Sequence, residues 1–290
     1  MTKLQSLTHA KMAQPFVHAP LFCSLERGEQ RRRKLDVTYV VNDSGSGAKA
    51  TFRFWGPEPL GVTDLRVLQG LVAVATGQLV VDNGVPSMLR DGRVRRKDLR
   101  LEGDASASDA IAARFKLTPF AQALGYVRPG KATLMQLQAS IERLSAVTVI
   151  VRKPGFEGSY RIVSAYERDS VTDEVVVGLS PGITAAVLGK SDYLRIDFGE
   201  VRKLKRDAAR LIHSRLHWIN HGARRAINIE TLCDYVYGSV PASSYAVWKR
   251  KHTVREALKE LVDLLGWGVY ELTPGRFTVQ RPWRAISSVR

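Results

Sequence analysis

The chain has 290 residues, a formal net charge of +16 and an isoelectric point near 10.1. A chain of this length is expected to form about two domains, each with its own core. The excess of lysine and arginine favours a polyanionic partner, with nucleic acid as the first candidate. The only two cysteines, Cys23 and Cys233, are too few for a disulfide framework or a thiolate metal site, which favours a reducing cytoplasm. No apolar run of about 18 residues and no signal-like start is present, so no membrane segment is expected.

Residues 1–57 are typical of a basic N-terminal arm. They begin without a hydrophobic period and contain the basic block Arg31–Lys34. Two strands, Leu35–Tyr39 and Ala50–Trp55, are predicted around a Gly/Ser turn, as a possible hairpin. The arm is either a phosphate-binding tail or a solubilising extension.

Residues 58–192 are predicted to form the first domain. Its polar stretch Gly77–Ser108 carries many arginines and is either a hairpin or a loop. Gly125 is suited to end the helix before it. The predicted helices are Thr63–Ala75, Asp109–Phe115, Thr118–Leu124, Thr133–Leu144 and Pro181–Leu188, and the predicted strands are Val147–Val151, Tyr160–Ala165 and Asp173–Leu179. Asp192–Phe198, at the boundary to the second domain, is either a strand or a linker.

Residues 193–290 are predicted to form the second domain. Its basic cluster Lys249–Lys251 runs into a helix that Gly266 ends, and a hairpin follows with its turn at Thr273–Arg276. Before it come a long helix Glu200–His221, a strand Ala226–Ile229 and a helix Glu230–Tyr237. This order predicts a winged helix, whose last helix fits the DNA major groove while the hairpin rests on phosphates. The alternative is an amphipathic helix packed on a hairpin with a solvated basic face.

An internal repeat at an offset of 120 residues relates the two domains. It matches Lys131 with Lys251, Thr133 with Thr253, and Pro154-Gly155 with Pro274-Gly275. Each copy carries the pattern of a capping box, Thr133-x-x-Gln136 and Thr253-x-x-Glu256. If the basic cluster is itself helical, only the first box can form. The repeat predicts an α+β fold with two winged-helix domains in tandem, whose hairpin tips at Lys153 and Arg276 face the same way.

Two patterns that resemble chemical sites do not support catalysis. Gly182–Ser191 contains Gly-Lys-Ser, but six residues separate the glycines where a phosphate-binding loop needs four. His213, His217 and His221 share one helix face, yet no carboxylate or cysteine lies at metal spacing beside them, so they are expected at the helix surface or core edge. We therefore expect no enzyme activity, no metal and no cofactor.

Several segments carry a family resemblance. The sequence resembles the replication initiator C proteins (RepC) of IncQ-type broad-host-range plasmids over residues 20–282, through Lys34–Tyr39, Gly56–Gly61, Asp64–Ala73, Ile141–Leu144, Thr231–Cys233, Val254–Leu258 and Leu265–Trp267. The resemblance implies a bacterial cytoplasmic protein with two winged-helix domains that binds directly repeated iterons in double-stranded origin DNA. It also implies opening of adjacent AT-rich DNA and recruitment of plasmid helicase and primase; a homodimer is a further possible partner state.

We expect both domains to contact one iteron, with basic residues on phosphates and a few helix side chains on bases. The candidate DNA-binding residues are Lys249, Arg250, Lys251, His252, Thr253, Arg255, Arg276 and Arg281 in the second domain, and Lys131, Thr133, Gln136, Arg152, Lys153 and Arg161 in the first. Two rival functions remain at this point. One is a winged-helix repressor without origin opening, and the other is an NTP-dependent or nicking enzyme.

Overall fold

The computed structural model describes residues 7–25, 33–42, 48–77, 79–82, 85–88, 111–169, 171–241 and 243–283. Helices and strands are mixed in an α+β arrangement. The chain divides into two compact units. The first comprises residues 1–21 and 25–199, and the second comprises residues 22–24 and 200–290. The boundary therefore lies inside the helix Phe198–Lys203, and a short N-terminal segment belongs to the second unit.

The first unit is built from five helices and eleven strands within the described residues. The helices are α1 (Gln14–His18), α2 (Val62–Gly77), α3 (Leu117–Ala123), α4 (Lys131–Ala146) and α5 (Pro181–Val187). The strands are β1 (His9–Ala13), β2 (Leu35–Asn42), β3 (Lys49–Gly56), β4 (Leu79–Asp82), β5 (Val85–Met88), β6 (Ala112–Lys116), β7 (Thr148–Lys153), β8 (Phe156–Arg161), β9 (Val163–Asp169), β10 (Glu174–Leu179) and β11 (Tyr193–Asp197).

Helix α2 forms the centre of the first unit. Leu68, Leu71 and Val72 have no exposed surface. A side chain at Gly70 would come within 2.5 Å of Leu124, so glycine is what allows the close approach of α2 to the end of α3. The buried Asp64 accepts a hydrogen bond from the Gly61 N–H (2.8 Å) and pairs with Arg143 of α4 (2.8 Å). These polar contacts fix α4 against α2.

Antiparallel strands in this unit form four separate sheets. Three strands pair in the order β6-β10-β9 and four in the order β2-β3-β7-β8, while β1 pairs with β11 and β4 with β5. The predicted strands Leu35–Tyr39 and Ala50–Trp55 are therefore confirmed as β2 and β3. The hairpin alternative for the start of the polar stretch is confirmed as β4–β5. The arginine-rich remainder of that stretch lies outside the described residues.

The N-terminal region is not the separate arm that its composition suggests. Strand β1 pairs with β11, and Phe16 packs edge-on against Phe54 with ring centroids 5.5 Å apart. Strand β3 also pairs with β7, which follows α4 in the sequence. The prediction of an arm is wrong for these residues because buried aromatic side chains and strand pairing join them to the first unit. Arg31 and Arg32 of the basic block lie outside the described residues.

The second unit contains fewer elements. They are α7 (Asp207–Leu216), β12 (Arg224–Asn228), α8 (Ile229–Val236), α9 (Ser244–Leu265), β13 (Gly268–Thr273) and β14 (Arg276–Gln280), after α6 (Phe198–Lys203), which crosses the boundary. The three strands pair in the order β12-β14-β13.

Helix α9 is the longest helix of the described residues and packs against α7 and α8. The hydroxyl of Ser243 caps its start by accepting the Ala246 N–H (3.2 Å), and Gly266 ends it in the left-handed conformation (φ 68°). Its buried side is Val254, Ala257, Leu258 and Leu261. The predicted helix and the hairpin after it are therefore confirmed, and the basic cluster is helical.

Both units repeat one order of elements. In the first unit the order is α2, β6, α3, α4, β9, β10, and in the second it is α7, β12, α8, α9, β13, β14. In both, the strand before the second helix pairs with the last strand of the hairpin. The counterpart of β13–β14 is therefore β9–β10. The sequence match of Pro154-Gly155 with Pro274-Gly275 is wrong, because β7–β8 is an inserted hairpin that joins the four-stranded sheet.

Three local predictions also need correction, those of a helix at Asp109–Phe115, of an unbroken helix over Glu200–His221 and of the first capping box. Asp109–Phe115 was predicted as a helix, but strand β6 begins at Ala112 and pairs with β10. The long helix predicted over Glu200–His221 is broken between α6 and α7, where Glu260 accepts the N–H groups of Lys205 and Arg206. Neither capping box forms. Helix α4 begins after Gly130 without a side-chain cap, and Thr253 lies inside α9 with its hydroxyl on the Lys249 carbonyl (3.0 Å).

Among the described residues, no helix combines the length and the apolar character needed to span a bilayer.

Candidate nucleic-acid interface

The solvent-facing side of α9 is cationic and aromatic in its first three turns. Lys249 and His252 are exposed, as are Tyr245 and Trp248. The sequence has no acidic residue from Ser243 to Arg255. A helix face of this composition suits a polyanion, because each cation can neutralise a phosphate without an opposing carboxylate on the same turn.

Three of the predicted DNA-binding side chains are instead held by neighbouring residues. The Arg250 guanidinium binds the Ser239 carbonyl and hydroxyl and lies over the Tyr237 ring, 4.5 Å from its centroid. Lys251 Nζ lies 2.7 Å from Glu230 Oε1 of α8 and holds the pKa of that carboxyl below its usual value. The hydroxyl of Thr253 is bonded within the helix. These contacts hold α9 against the rest of the second unit, so the charged groups of Arg250 and Lys251 have partners within that unit.

Arg255 connects α9 to the hairpin. Its Nη2 lies 2.8 Å from Glu271 Oε1 on β13, and its guanidinium stands over the Phe277 ring of β14. The same Glu271 oxygen accepts the Gly275 N–H (2.7 Å) at the turn. These two hydrogen bonds hold the pKa of Glu271 below its usual value. One carboxylate therefore fixes both the turn of the hairpin and its angle to the helix.

Arg281 was predicted to bind DNA, but its side chain is only 6% exposed and it is part of a buried charge cluster. Nη2 lies 2.8 Å from His217 Nε2 and 3.5 Å from Glu200 Oε2. His213 Nε2 lies 2.7 Å from the same Glu200 oxygen. The DNA-binding assignment of Arg281 is wrong, because a guanidinium enclosed by these partners cannot reach a phosphate.

Burial acts in opposite directions on the pKa values of two groups of this cluster, yet both pKa values lie below their usual values. Burial alone would raise the pKa of Glu200, but the hydrogen bond with His213 and the charge of Arg281 hold it below the usual value. Burial lowers the pKa of His217 well below its usual value, and neighbouring His213 and Arg281 act in the same direction. His217 is therefore neutral, with Nε2 accepting from Arg281.

The atoms of Glu200, His213 and His217 that could hold a metal lie within 4.8 Å of one another. The sequence pattern did not reveal the carboxylate, since Glu200 is 13 residues before the first histidine. Arg281 already binds His217 Nε2 and approaches Glu200, so its positive charge opposes a cation at the same place. The arrangement serves as an internal ion network. His213 and His217 are buried, deeper than the surface or core-edge position expected for them.

The hairpin and sheet of the second unit expose further cations. Arg276 is exposed at the turn, where it was predicted to lie. Arg224 and Arg225 on β12 are also exposed and were not singled out by sequence reasoning. Polar and apolar residues alternate over too few positions there to show from the sequence which side chains are exposed. The pairing of β12 with β14 places both arginines on the sheet that carries Arg276.

The predicted residues on α4 present a different surface. Lys131 and Gln136 are exposed in its first two turns, and Thr133 is half-buried. Gln138, two positions after Gln136, accepts a hydrogen bond from Arg168 of β9 (2.8 Å) and so joins the helix to its hairpin. This face carries one cation among polar and apolar side chains, much less charge than α9.

The β9–β10 tip is acidic. Asp169 accepts the N–H groups of Val171 and Thr172 and the Thr172 hydroxyl, which fixes the turn. The nearest cation, Arg168, is paired with Asp173 at 2.8 Å. Further carboxylates flank the turn at Glu167 and Glu174. Among the described residues, this tip lacks the cationic character of the β13–β14 turn.

Arg152, Lys153 and Arg161 lie on the inserted β7–β8 hairpin of the four-stranded sheet. All three are exposed. Arg152 pairs with Glu157 (2.7 Å), and Lys153 Nζ lies 5.2 Å from the centroid of the Phe156 ring. The structure therefore does not bring them together with Lys131, Thr133 and Gln136 in one helix–hairpin element.

The first part of the Gly182–Ser191 segment, up to Val187, is helical, and the rest follows the end of that helix. It begins inside α5, and the Ser180 hydroxyl accepts the Ile183 N–H at the start of that helix. Gly189 then turns in the left-handed conformation (φ 72°). The helix uses its own N–H groups internally, so the segment does not form a phosphate-binding loop.

Comparison with known proteins gives a family for the whole arrangement. No curated protein gives a significant match. Two crystal structures of domains 2 and 3 of RctB are similar in fold. The selenomethionine derivative is 13% identical, with a TM-score of 0.49, 88% of this chain and 93% of that chain being covered. The second is 12% identical, with a TM-score of 0.48 and coverage of 86% and 92%. The family model described as replication protein C (RepC) matches residues 4–283. Because that match spans nearly the whole sequence, the chain belongs to the RepC family of replication initiators.

Proposed function

We propose that this protein initiates plasmid replication of the IncQ type by binding iterons in duplex origin DNA through two winged-helix units. The element order supports this proposal, since each unit has a helix, a strand, two helices and a hairpin whose last strand is central. In winged helices the third helix enters the major groove and the hairpin lies beside it on the backbone. Helices α4 and α9 are the reading helices of this proposal.

The observation that carries the proposal is the exposed face of α9 together with its attachment to the β13–β14 hairpin. Lys249, His252 and Arg276 are exposed, and Arg255 fixes the hairpin to the helix through Glu271. A rigid helix–hairpin pair with cations at its outer surface can hold a register on DNA, because phosphate contacts position the protein while base contacts select the sequence.

The two units contribute unequally to this binding. The acidic β9–β10 tip would repel phosphates, while the β13–β14 turn carries Arg276. The second unit therefore supplies most of the electrostatic affinity, and α4 contributes shape and a few polar contacts such as Gln136.

Bound protein would open adjacent AT-rich DNA and recruit plasmid helicase and primase without chemistry of its own. The proposal includes no ATP hydrolysis and no strand cleavage, because the Gly189 and Lys190 N–H groups are used at the end of α5 and because Arg281 binds His217 within the Glu200–His217 cluster. A homodimer on adjacent repeats is compatible with it, and sedimentation with and without DNA measures that state.

Footprinting on plasmid origin fragments tests the proposal. We expect protection repeated at the iteron spacing and, in the same reactions, permanganate-reactive thymines in the AT-rich segment beside the repeats. Protection without reactive thymines would indicate a repressor of the same fold. ATP hydrolysis or nicking by purified protein would reject the non-enzymatic proposal.

A further inference from the structure

Three side chains form an exposed ladder of rings on α9. The Tyr245 and Trp248 ring centroids are 5.9 Å apart at an interplanar angle of 25°, and those of Trp248 and His252 are 5.6 Å apart at 8°. Tyr245 is 69% exposed and Trp248 59%. Two large rings that remain in water are unfavourable in a folded unit unless a partner covers them.

The ladder is specific to the second unit. The buried side of α4 (Leu137, Ser140, Ile141, Leu144) aligns with that of α9 (Val254, Ala257, Leu258, Leu261) at an offset of 117 residues, so the three ladder positions correspond to Arg128, Lys131 and Met135 of the first unit. In that alignment α9 begins one turn earlier than α4, because the first residue of α4, Lys131, corresponds to Trp248. The additional turn carries Tyr245.

The surroundings of the ladder favour duplex DNA as its partner. Lys249 is next to Trp248 in the sequence, and the helix has no acidic residue before Glu256. Within the major groove, the thymine C5-methyl is the apolar group displayed on base edges. The rings are stacked along the helix, and the large exposed fractions of Tyr245 and Trp248 leave them open to contact with such groups. Seven helical residues span about 10 Å, close to three base-pair steps of about 3.4 Å each.

We propose that the Tyr245–Trp248–His252 ladder contacts thymine methyl groups over about three base pairs, and so makes the protein select thymine at these positions. This inference rests on the proposed function, because it places the first turns of α9 in the major groove. The inference adds that those turns recognise the thymine methyl group, whereas cationic side chains on phosphates do not distinguish one base from another.

The test compares binding to an origin duplex with binding to the same duplex in which deoxyuridine replaces thymidine. The two differ only by the C5-methyl group. We expect the wild-type protein to bind the deoxyuridine duplex more weakly, by roughly fourfold for each methyl group that a ring covers. Trp248→Ala should weaken binding to the thymidine duplex and lose much of this difference, whereas Trp248→Phe should keep much of it.

Trp55→Ala is the matched control, because Trp55 is 46% exposed on β3 in the four-stranded sheet of the first unit. It should retain the wild-type difference between the two duplexes. Urea unfolding of each variant checks that the comparison concerns folded protein. For each protein, the affinity for the thymidine duplex is divided by that for the deoxyuridine duplex. Comparing this ratio between the wild type and a variant separates the contact from effects of deoxyuridine on DNA shape.

Four results would overturn the inference. Equal wild-type binding to both duplexes would reject methyl contact while leaving the footprint, and thus the proposed function, intact. A Trp248→Ala protein that keeps the full difference would assign it to another side chain. If Trp248→Ala weakened binding only to single-stranded oligothymidine and not to the duplex, the ladder would be a platform on which unpaired bases stack. Absence of duplex binding by the wild type would reject the inference and the proposed function together.

Discussion

At the scale of single residues, a cation's surroundings decide whether it can meet DNA. Arg250 and Arg281 were both predicted to bind DNA, yet both direct their guanidinium groups into the second unit. Arg276, with the same side chain, is exposed at a turn. Net charge therefore overstates the number of arginines that contact phosphates.

Replacing Arg281 with alanine should destabilise the second unit by about 3–5 kcal/mol, the usual cost of removing one partner from a buried ion cluster. Glu200 and the carbonyl groups of His217 and Ile219 would lose a donor. Urea unfolding measures the change. Arg276→Ala is the control and should remain within about 0.5 kcal/mol of the wild type. A stable Arg281→Ala protein with weak DNA binding would show that the side chain acts at the surface.

Acidification should destabilise the protein in two steps. The pKa of His217 is lowered in the folded state, so below about pH 6.5 the unfolded chain binds a proton that the folded unit resists. Stability is present above that pH and falls as the pH decreases. The lowered pKa of Glu200 adds a second loss below about pH 4.5, as that carboxylate becomes protonated in the unfolded chain.

Unfolding free energies measured between pH 7.5 and 5.5 check the first step. His217→Gln should flatten the pH dependence in this range. An equally steep dependence in His217→Gln would assign the proton uptake to another group.

At the scale of elements, strand pairing changes which hairpin accompanies α4. The inserted β7–β8 hairpin carries Arg152 and Lys153, whereas the true counterpart of β13–β14 has carboxylates around its turn. A hairpin can resemble another in sequence and still occupy a different sheet.

Arg276→Ala should weaken binding to all duplexes alike and reduce the magnitude of the salt slope by about 1, as expected for a lost phosphate contact. Arg152→Ala and Lys153→Ala should change affinity by less than about twofold, because exposed side chains away from the contact contribute little. Titration on one iteron at several salt concentrations measures both quantities. Equal losses from the three variants would restore β7–β8 as a DNA-binding hairpin.

Sequence reasoning succeeded where the determinants were local. Helix α9 has apolar residues at helical spacing and Gly266 at its end, so both its existence and its C-terminus were predictable. Strand β6 was predicted as a helix because a short run of small and apolar residues has no clear period, and its pairing with β10 is long-range. The break between α6 and α7 contains neither proline nor glycine and depends on Glu260, more than 50 residues later.

The candidate interface was predictable as a region but not as a set of contacts. Lys249, His252 and Arg276 are exposed as expected, whereas Arg281 is buried and Arg250 is bonded to Ser239. Sequence spacing places residues on a helix face, but it does not show which acceptor on another element a guanidinium will find. The aromatic ladder had a signal, an aromatic pair at helical spacing beside a basic cluster, that charge alone concealed.

At the scale of the whole molecule, the formal charge of +16 predicts strongly salt-dependent binding. We expect at least about six phosphate contacts, which gives a slope of about −5 or steeper for the logarithm of affinity against the logarithm of salt concentration. Fluorescence anisotropy with an origin duplex between about 50 and 200 mM salt measures it. A slope near −2 would mean that much of the charge faces something other than duplex DNA.

The second unit includes Phe22–Ser24, and the Ser24 N–H binds the Val236 carbonyl at 2.7 Å. During synthesis the ribosome must therefore add about 200 further residues before that partner exists, which takes roughly 10–40 s at bacterial and eukaryotic elongation rates. For that time Phe22, which is 4% exposed in the finished fold, lacks the rest of the unit to which it belongs. The nascent chain thus carries an uncovered apolar segment that a chaperone can hold, and a gene fragment starting at residue 200 would encode a unit lacking one of its own pieces.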